Sequence, residues 1–293
     1  MSAGTLPRTR RSRIHRRIRQ IWAACGVLAM LFLAWSFMAH GVDRSLLETD
    51  ARVRVTDHGS HIEFAPLHDG PPVNLLFFPG GMVQTEAYVP MAHAIARAGF
   101  RVILIRLPFL GRHAPGERYR REALKRALDA IRETGAAVRW AVAGHSFGGV
   151  MASQLAAESP DAVASLILVA TTHPRDVDLS STRLPVMKIL GTNDGIASPA
   201  RARANASRLP PDTRWIEIDG ANHEQFAYYG PHLGGGRATI SRDVQQARLV
   251  ALIVEELQRI AQARLAHQRT GPSSAGAGSF TAASTADPVQ TTP

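Results

Sequence analysis

Between residues 75 and 260 the chain alternates two hydrophobic rhythms. Short unbroken apolar runs at 75–78, 102–107, 140–143, 166–169, 186–190 and 215–218 read as strands. Stretches at 88–98, 118–132, 148–158 and about 241–263 read as helices between and after them. In the last of these, Leu249, Ile253, Leu257 and Ile260 recur at helical spacing with Glu255, Glu256 and Arg259 between them, so one face packs and the other meets water. Unbroken apolar strands suit a parallel sheet buried on both faces. Strand and helix in alternation require right-handed crossovers, so the prediction is an α/β fold with a doubly wound, mostly parallel sheet. Upstream, runs at 52–55 and 62–65 separated by Asp57, His58 and Gly59 form a hairpin that opens the sheet.

The N-terminal pattern is different. Residues 21–39, IWAACGVLAMLFLAWSFMA, contain no charge, and a helix of that length spans about 30 Å, the hydrocarbon thickness of a bilayer. Trp22 and Trp35 sit towards its ends, arginines precede it, and Asp43 and Arg44 follow, which marks two wet boundaries. A signal peptide has the same order of regions. Here, however, the small residues Ala34, Ser36 and Ala39 are crowded by Trp35, Phe37 and Met38, and neither Arg10-Arg11 nor Arg16-Arg17 is followed by the hydrophobic pair of a twin-arginine signal. The expectation is an uncleaved single-pass anchor. The chain then divides into a basic tail (1–20), a transmembrane anchor (21–39), a globular domain (40–265) and a C-terminal tail (266–293). From about residue 271 that tail is rich in Ser, Thr, Ala, Gly and Pro, and is expected to be disordered.

Charge sharpens this picture. Of the 293 residues 45% are apolar, enough for a sizeable core, and the formal charge is +10. Seven of the 34 basic residues fall in the first twenty, where there is no acid, leaving 27 bases against 24 acids beyond. With so small an excess and no interleaved basic and aromatic patch, nucleic-acid binding is not expected. Arginines on one side of an apolar span instead predict a cytoplasmic N-terminus and an extracytoplasmic domain. Cys25 is the only cysteine, so no intramolecular disulfide exists, and it lies in the apolar stretch.

Candidate chemistry begins at Gly144-His145-Ser146-Phe147-Gly148, a G-x-S-x-G pattern that follows an apolar strand and runs into a helix of small residues. That setting is a nucleophile elbow, with Ser146 exposed at the carboxyl edge of the sheet. A serine hydroxyl needs a base to take its proton and an acid to orient the base, and on this architecture acid and then histidine follow the serine. Asp194, in Gly191-Thr192-Asn193-Asp194-Gly195, and His223, in Gly220-Ala221-Asn222-His223-Glu224, each come just after a strand. Asp176, Asp178, Asp212 and Asp219 lack the strand-to-glycine-turn setting, and His173 precedes the acid. An oxyanion would need backbone donors. The Phe147 amide supplies one, and Gly81 or Met82, in Phe78-Pro79-Gly80-Gly81-Met82, supplies the other. No Lys and Ser or Thr follow Gly80-Gly81 in P-loop order, no dinucleotide fingerprint is present, and no His, Asp or Glu spacing suggests a metal, so no cofactor is expected. His145 and Glu224 flank these candidates without an assigned role.

The succession FFPGGM, GHSFGG, GTNDG and ANHEQF resembles the α/β-hydrolase superfamily. More narrowly it is similar to a bacterial group with a PGG loop before an alanine-rich helix, an aromatic Tyr-Gly-Pro loop after the histidine (226–231 here) and an Ile-Ser-Arg segment (240–242). The resemblance implies a serine hydrolase with Ser146, Asp194 and His223 as its triad. Only a short loop fits between the strand ending near Ala170 and that starting at Val186, so no large lid domain is expected. Arg112, His113, Arg175, Tyr228 and Tyr229 lie on loops, either walling the pocket or as ordinary surface. The expected substrate is a small, uncharged or moderately apolar acyl ester, and the expected membrane contact is a lipid bilayer around residues 21–39. Acyl transfer on the same triad, and a non-catalytic binding module on the same scaffold, are the alternatives.

Overall fold

The computed structural model describes residues 8–68, 70–108, 116–134 and 139–270. Its first element is the helix α1 (Arg8–Ser36), which starts within the arginine-rich tail, well before Ile21. The 24 residues from Arg13 to Ser36 contain an 18-residue window of mean hydropathy 1.6 that is not buried against protein, so by length and composition this stretch qualifies as a membrane span or a signal sequence. The helix stops at Ser36, three residues short of the sequence expectation. The reason is competition for the backbone: Phe37, Ala39 and His40 hydrogen-bond to the globular domain.

Eight strands follow: β1 (Val53–Asp57), β2 (His61–Pro66), β3 (Val73–Phe78), β4 (Val102–Ile105), β5 (Arg139–His145), β6 (Val163–Val169), β7 (Val186–Gly191) and β8 (Arg214–Ile218). They form one sheet in the order β1-β2-β4-β3-β5-β6-β7-β8. β2 is antiparallel to both its neighbours, and from β4 onward every pairing is parallel. The opening hairpin turns where Asp57 Oδ1 accepts the Gly59 amide at 2.8 Å and Gly59 takes φ +74°. The helices are α2 (Val89–Arg97), α3 (Glu117–Thr134), α4 (Gly148–Glu158), the short α5 (Pro199–Arg203) and α6 (Arg242–Thr270). α6 continues beyond Ala263 to Thr270, so the first residues assigned to the C-terminal tail are helical. Residues 271–293, where disorder was expected, lie outside the described residues, as do Arg112 and His113.

Alternating side chains send each central strand into two cores. Leu75 and Phe77 of β3, Ala141 and Ala143 of β5, and Ile167 and Val169 of β6 pack with Met91, Ile95, Leu249, Ile253 and Leu257 on α2 and α6. Leu76, Phe78, Val142, Leu166 and Leu168 pack with Tyr119, Leu124, Met151 and Leu155 on α3 and α4. Each fully buried Leu, Ile or Phe contributes roughly 1.5–3 kcal/mol, so the two layers fix the sheet and thereby its carboxyl edge. Two charged groups interrupt this apolar interior. Glu256 of α6, fully buried, accepts from Ser165 Oγ at 3.0 Å and pairs with Arg214 and Arg259, each at 2.7 Å, tying α6 to β6 and β8. Lys188 sits in the middle of β7, fully buried, its Nζ donating to the His173 carbonyl at 2.7 Å and lying 5.2 Å from the Trp215 ring centroid.

Candidate active site

The elbow after β5 follows from glycine placement. A Cβ on Gly144 would strike the Gly148 carbonyl, and one on Gly148 would strike the Phe78 carbonyl, so only glycine lets β5, α4 and the end of β3 approach this closely. Between them Ser146 is forced to φ +51°, a left-handed conformation that costs a non-glycine residue on the order of 1 kcal/mol. Its amide donates to Val169 at 2.9 Å and its carbonyl accepts from Gly149 at 3.0 Å, which holds the turn against that strain.

Loops after β7 and β8 bring the other two residues to the same edge. His223 Nε2 stands 3.0 Å from Ser146 Oγ, and His223 Nδ1 stands 2.8 Å from Asp194 Oδ2. Asp194 accepts at Nδ1–H, leaving Nε2 as the acceptor for the serine proton. The other Asp194 oxygen accepts the amides of Ile196 at 2.8 Å and Ala197 at 2.7 Å, so the carboxylate is fixed by its own loop. Asp194 and His223 are each 2% exposed, whereas Ser146 is half-buried and reachable. The structure thus joins all three sequence candidates in one hydrogen-bonded chain.

The loop 79–83 faces the elbow. A Cβ on Gly81 would lie 3.1 Å from Phe147 Cβ, so this loop runs directly over the residue after the serine. The amides of Gly81 and Phe147 meet no acceptor among the described residues. Met82, at φ +65°, turns the chain, and its backbone interacts with the Tyr119 hydroxyl, which burial pushes up to about 12 and Met82 moves back down. Neither the Gly81 nor the Met82 amide donates to a backbone acceptor among the described residues, so both stand as candidate donors opposite Phe147.

Two residues without a sequence-assigned role complete the cluster. The Tyr88 hydroxyl accepts the Gly80 amide at 2.8 Å and meets His145 Nδ1 at 2.7 Å. Burial first, and the adjacent His223 second, hold His145 well below the usual histidine range, against the opposing His223 backbone, so it is a neutral ring at physiological pH. Its ring also lies 4.9 Å from His223, 6.0 Å from Phe226 and 6.4 Å from Tyr229. Tyr229 is buried here, so it supports the site from behind. Arg175 lines a separate cleft of about 730 Å³ between α3, α4 and residues 173–177, whose lining does not include the three linked residues. The segment 170–185 carries no helix or strand, as the expectation of no large lid requires. Among the described residues one group offers metal-ligand atoms within 4.8 Å of one another: His58 in the β1–β2 turn, His61 at the start of β2 and Glu133 on α3. Sequence spacing conceals it, because only the fold brings Glu133 to the hairpin.

The sequence pattern of the alpha/beta hydrolase family matches residues 74–247, which run from β3 through every residue of the cluster. The chain belongs to the α/β-hydrolase family. No curated protein matches this α/β-hydrolase. Solved structures that share the fold include a predicted CIB-like hydrolase from Thermoplasma acidophilum (19% identity, TM-score 0.52, covering 70% of this chain and 98% of that one). An alpha-beta serine hydrolase homologue from Coxiella burnetii is similar at 17% identity and TM-score 0.53, covering 71% and 98%. A thermophilic esterase from Thermogutta terrifontis, solved with malate bound, is similar at 15% identity and TM-score 0.52, covering 73% and 99%.

Proposed function

We propose that this α/β-hydrolase is a membrane-anchored serine hydrolase of the esterase type, with its catalytic domain outside the cytoplasm. The observation that carries the reading is the continuous Ser146–His223–Asp194 hydrogen-bond chain at 3.0 and 2.8 Å, ending on a serine held at positive φ. Ser146 Oγ attacks the ester carbonyl while His223 Nε2 takes its proton. Asp194 holds the imidazole in the tautomer that can accept. The oxyanion forms beside the Phe147 amide and that of Gly81 or Met82, donors already oriented before the reaction. His223 then gives the proton to the departing alcohol, and water attacks the acyl-enzyme by the same route in reverse. None of these steps calls on a cofactor. Esterase and serine hydrolase neighbours of the same fold support the class, and the arginine-rich start of α1 supports a cytoplasmic N-terminus.

Turnover of 4-nitrophenyl butyrate tests this. Ser146→Ala and His223→Ala are each expected to lower kcat at least about 10³-fold with thermal unfolding unchanged. Activity retained in either variant contradicts the reading.

A further inference from the structure

We infer that the site draws its substrate from the bilayer surface: an amphipathic acyl lipid held by its own chains in the membrane that α1 crosses. The inference rests on the proposed triad and on α1 as an uncleaved span. It concerns where the ester comes from and what carries it.

Residues 36–40 are not a tether. The Ser36 carbonyl accepts the Gly230 amide at 2.8 Å, the Phe37 carbonyl accepts the Gln84 amide at 2.9 Å, and the Ala39 amide donates to Gln84 Oε1 at 2.9 Å. The His40 amide donates to the Tyr228 carbonyl at 2.8 Å, and Ala39 bridges Tyr229 in antiparallel fashion. A Cβ on Gly230 would lie 3.0 Å from Ser36 Cα, so the end of the helix rests on backbone. On one side, then, the emerging chain is bonded to the continuation of the Gly81 loop, and on the other to the loop that follows His223.

Two ring contacts measure how near the chemistry is. Phe37 lies 5.3 Å from His232, and His232 lies 5.9 Å from His223. If Ser36 ends the apolar span, residues 37–40 lie in the headgroup layer, which is roughly 5–7 Å thick on each face. The His223 imidazole then stands in or just above that layer. A domain on a flexible linker would instead sample positions tens of ångströms away.

The surroundings suit a lipid. Met38, Met82 and Leu233 come from the anchor exit, the Gly81 loop and the His223 loop, and are 50%, 44% and 74% exposed. Three apolar side chains left in contact with solvent beside one site form a rim that the interface would cover. A cleft of about 500 Å³ also runs from Ala34, Phe37 and Met38 to Gln84 and Thr85, next to the Gly81 loop. Its charged wall is internally satisfied, since Arg106 pairs with Glu86 and Asp57.

The test uses the full chain in phosphatidylcholine vesicles, with 4-methylumbelliferyl oleate either in the same bilayer or in added protein-free vesicles, and with 4-nitrophenyl butyrate in the water as reference. Oleate in the protein's own bilayer is expected to be cleaved at least tenfold faster than oleate in separate vesicles. Twelve Gly and Ser residues inserted between Leu33 and Ala34 leave the docked segment in place but lift the domain by up to about 40 Å. That insertion is expected to lower same-bilayer oleate cleavage at least tenfold relative to butyrate. Equal rates in the two arrangements, butyrate cleavage with no oleate cleavage, or an unchanged oleate-to-butyrate ratio after insertion each overturn the inference. Should the insertion variant lose butyrate cleavage as well, the two-vesicle comparison on the natural chain decides alone. Failure of the natural chain to cleave butyrate overturns the hydrolase reading itself.

Discussion

The hydroxyl of Tyr88 stands 2.7 Å from His145 Nδ1 while accepting the Gly80 amide at 2.8 Å. The same hydroxyl thus bonds both the Gly80 amide and the His145 ring, whose other nitrogen, Nε2, is buried with no hydrogen-bond partner among the described residues. One hydroxyl therefore ties the Gly80-Gly81 loop to the residue directly before Ser146.

Tyr88→Phe keeps the buried ring and its 5.3 Å contact with Phe77 but removes both bonds. The Gly80 amide and His145 Nδ1 would be left buried and unpaired, costing about 1–3 kcal/mol of stability. If the hydroxyl also sets the oxyanion geometry, kcat for a soluble ester falls about 10- to 100-fold while KM changes less than about threefold. Steady-state kinetics beside a melting curve separate the two effects: a lower Tm with unchanged kcat would leave Tyr88 a purely structural residue.

Asp194→Asn nearly preserves shape yet replaces the acceptor that fixes the His223 tautomer. An amide nitrogen facing Nδ1 favours the wrong tautomer, so kcat is expected to fall by about 10³- to 10⁴-fold. The measurement is ester turnover at saturating substrate, and a loss below tenfold would show that Asp194 does not orient the base.

Gly144→Ala tests the elbow independently of the chemistry. Its new Cβ would collide with the Gly148 carbonyl, a backbone atom that cannot rotate away. Destabilisation of at least about 3 kcal/mol is expected, read as a large drop in Tm or loss of soluble folded protein. An unchanged Tm would mean that the turn is wider than this close approach requires.

Lys188 gives stability a distinct pH dependence. Burial, with Arg175 adding to it, pushes the ammonium down from its ordinary value to about 7. The unfolded chain thus binds a proton that the folded chain releases between about pH 7 and the ordinary lysine range, so stability rises with pH in that window; below it both states are charged and the burial penalty is fully present. Lys188→Met removes this titration. The advantage of the Met variant over the natural chain is expected to shrink by roughly 2 to 3 kcal/mol between pH 6 and pH 9. Denaturant unfolding at the two pH values checks it, and a difference independent of pH would contradict a neutral buried lysine.

Local rules in the sequence carried much of this architecture. Unbroken apolar strands and Gly144-x-Ser146-x-Gly148 need only neighbouring residues to be read, and Asp194 and His223 follow from strand ends and chain order. What lay beyond reach depends on contacts distant in sequence. Nothing near Tyr88 announces His145, 57 positions away. The run at 186–190 reads as an apolar strand despite Lys188, and only the neighbouring His173 carbonyl and Trp215 ring explain how the buried lysine is accommodated. The first helix likewise ends where distant contacts decide, because hydropathy continues to Ala39 while hydrogen bonds to Gln84, Tyr228 and Gly230 end the helix at Ser36.

The central claim is that Ser146 is an activated nucleophile, and labelling with a fluorophosphonate probe tests it most directly. Natural chain and Ser146→Ala, both folded by circular dichroism, are exposed to the probe and digested, and the adduct is located by mass spectrometry. Stoichiometric labelling at Ser146 that disappears in the Ala variant is the expected result. An unlabelled natural chain, or equal labelling of both proteins, would contradict it.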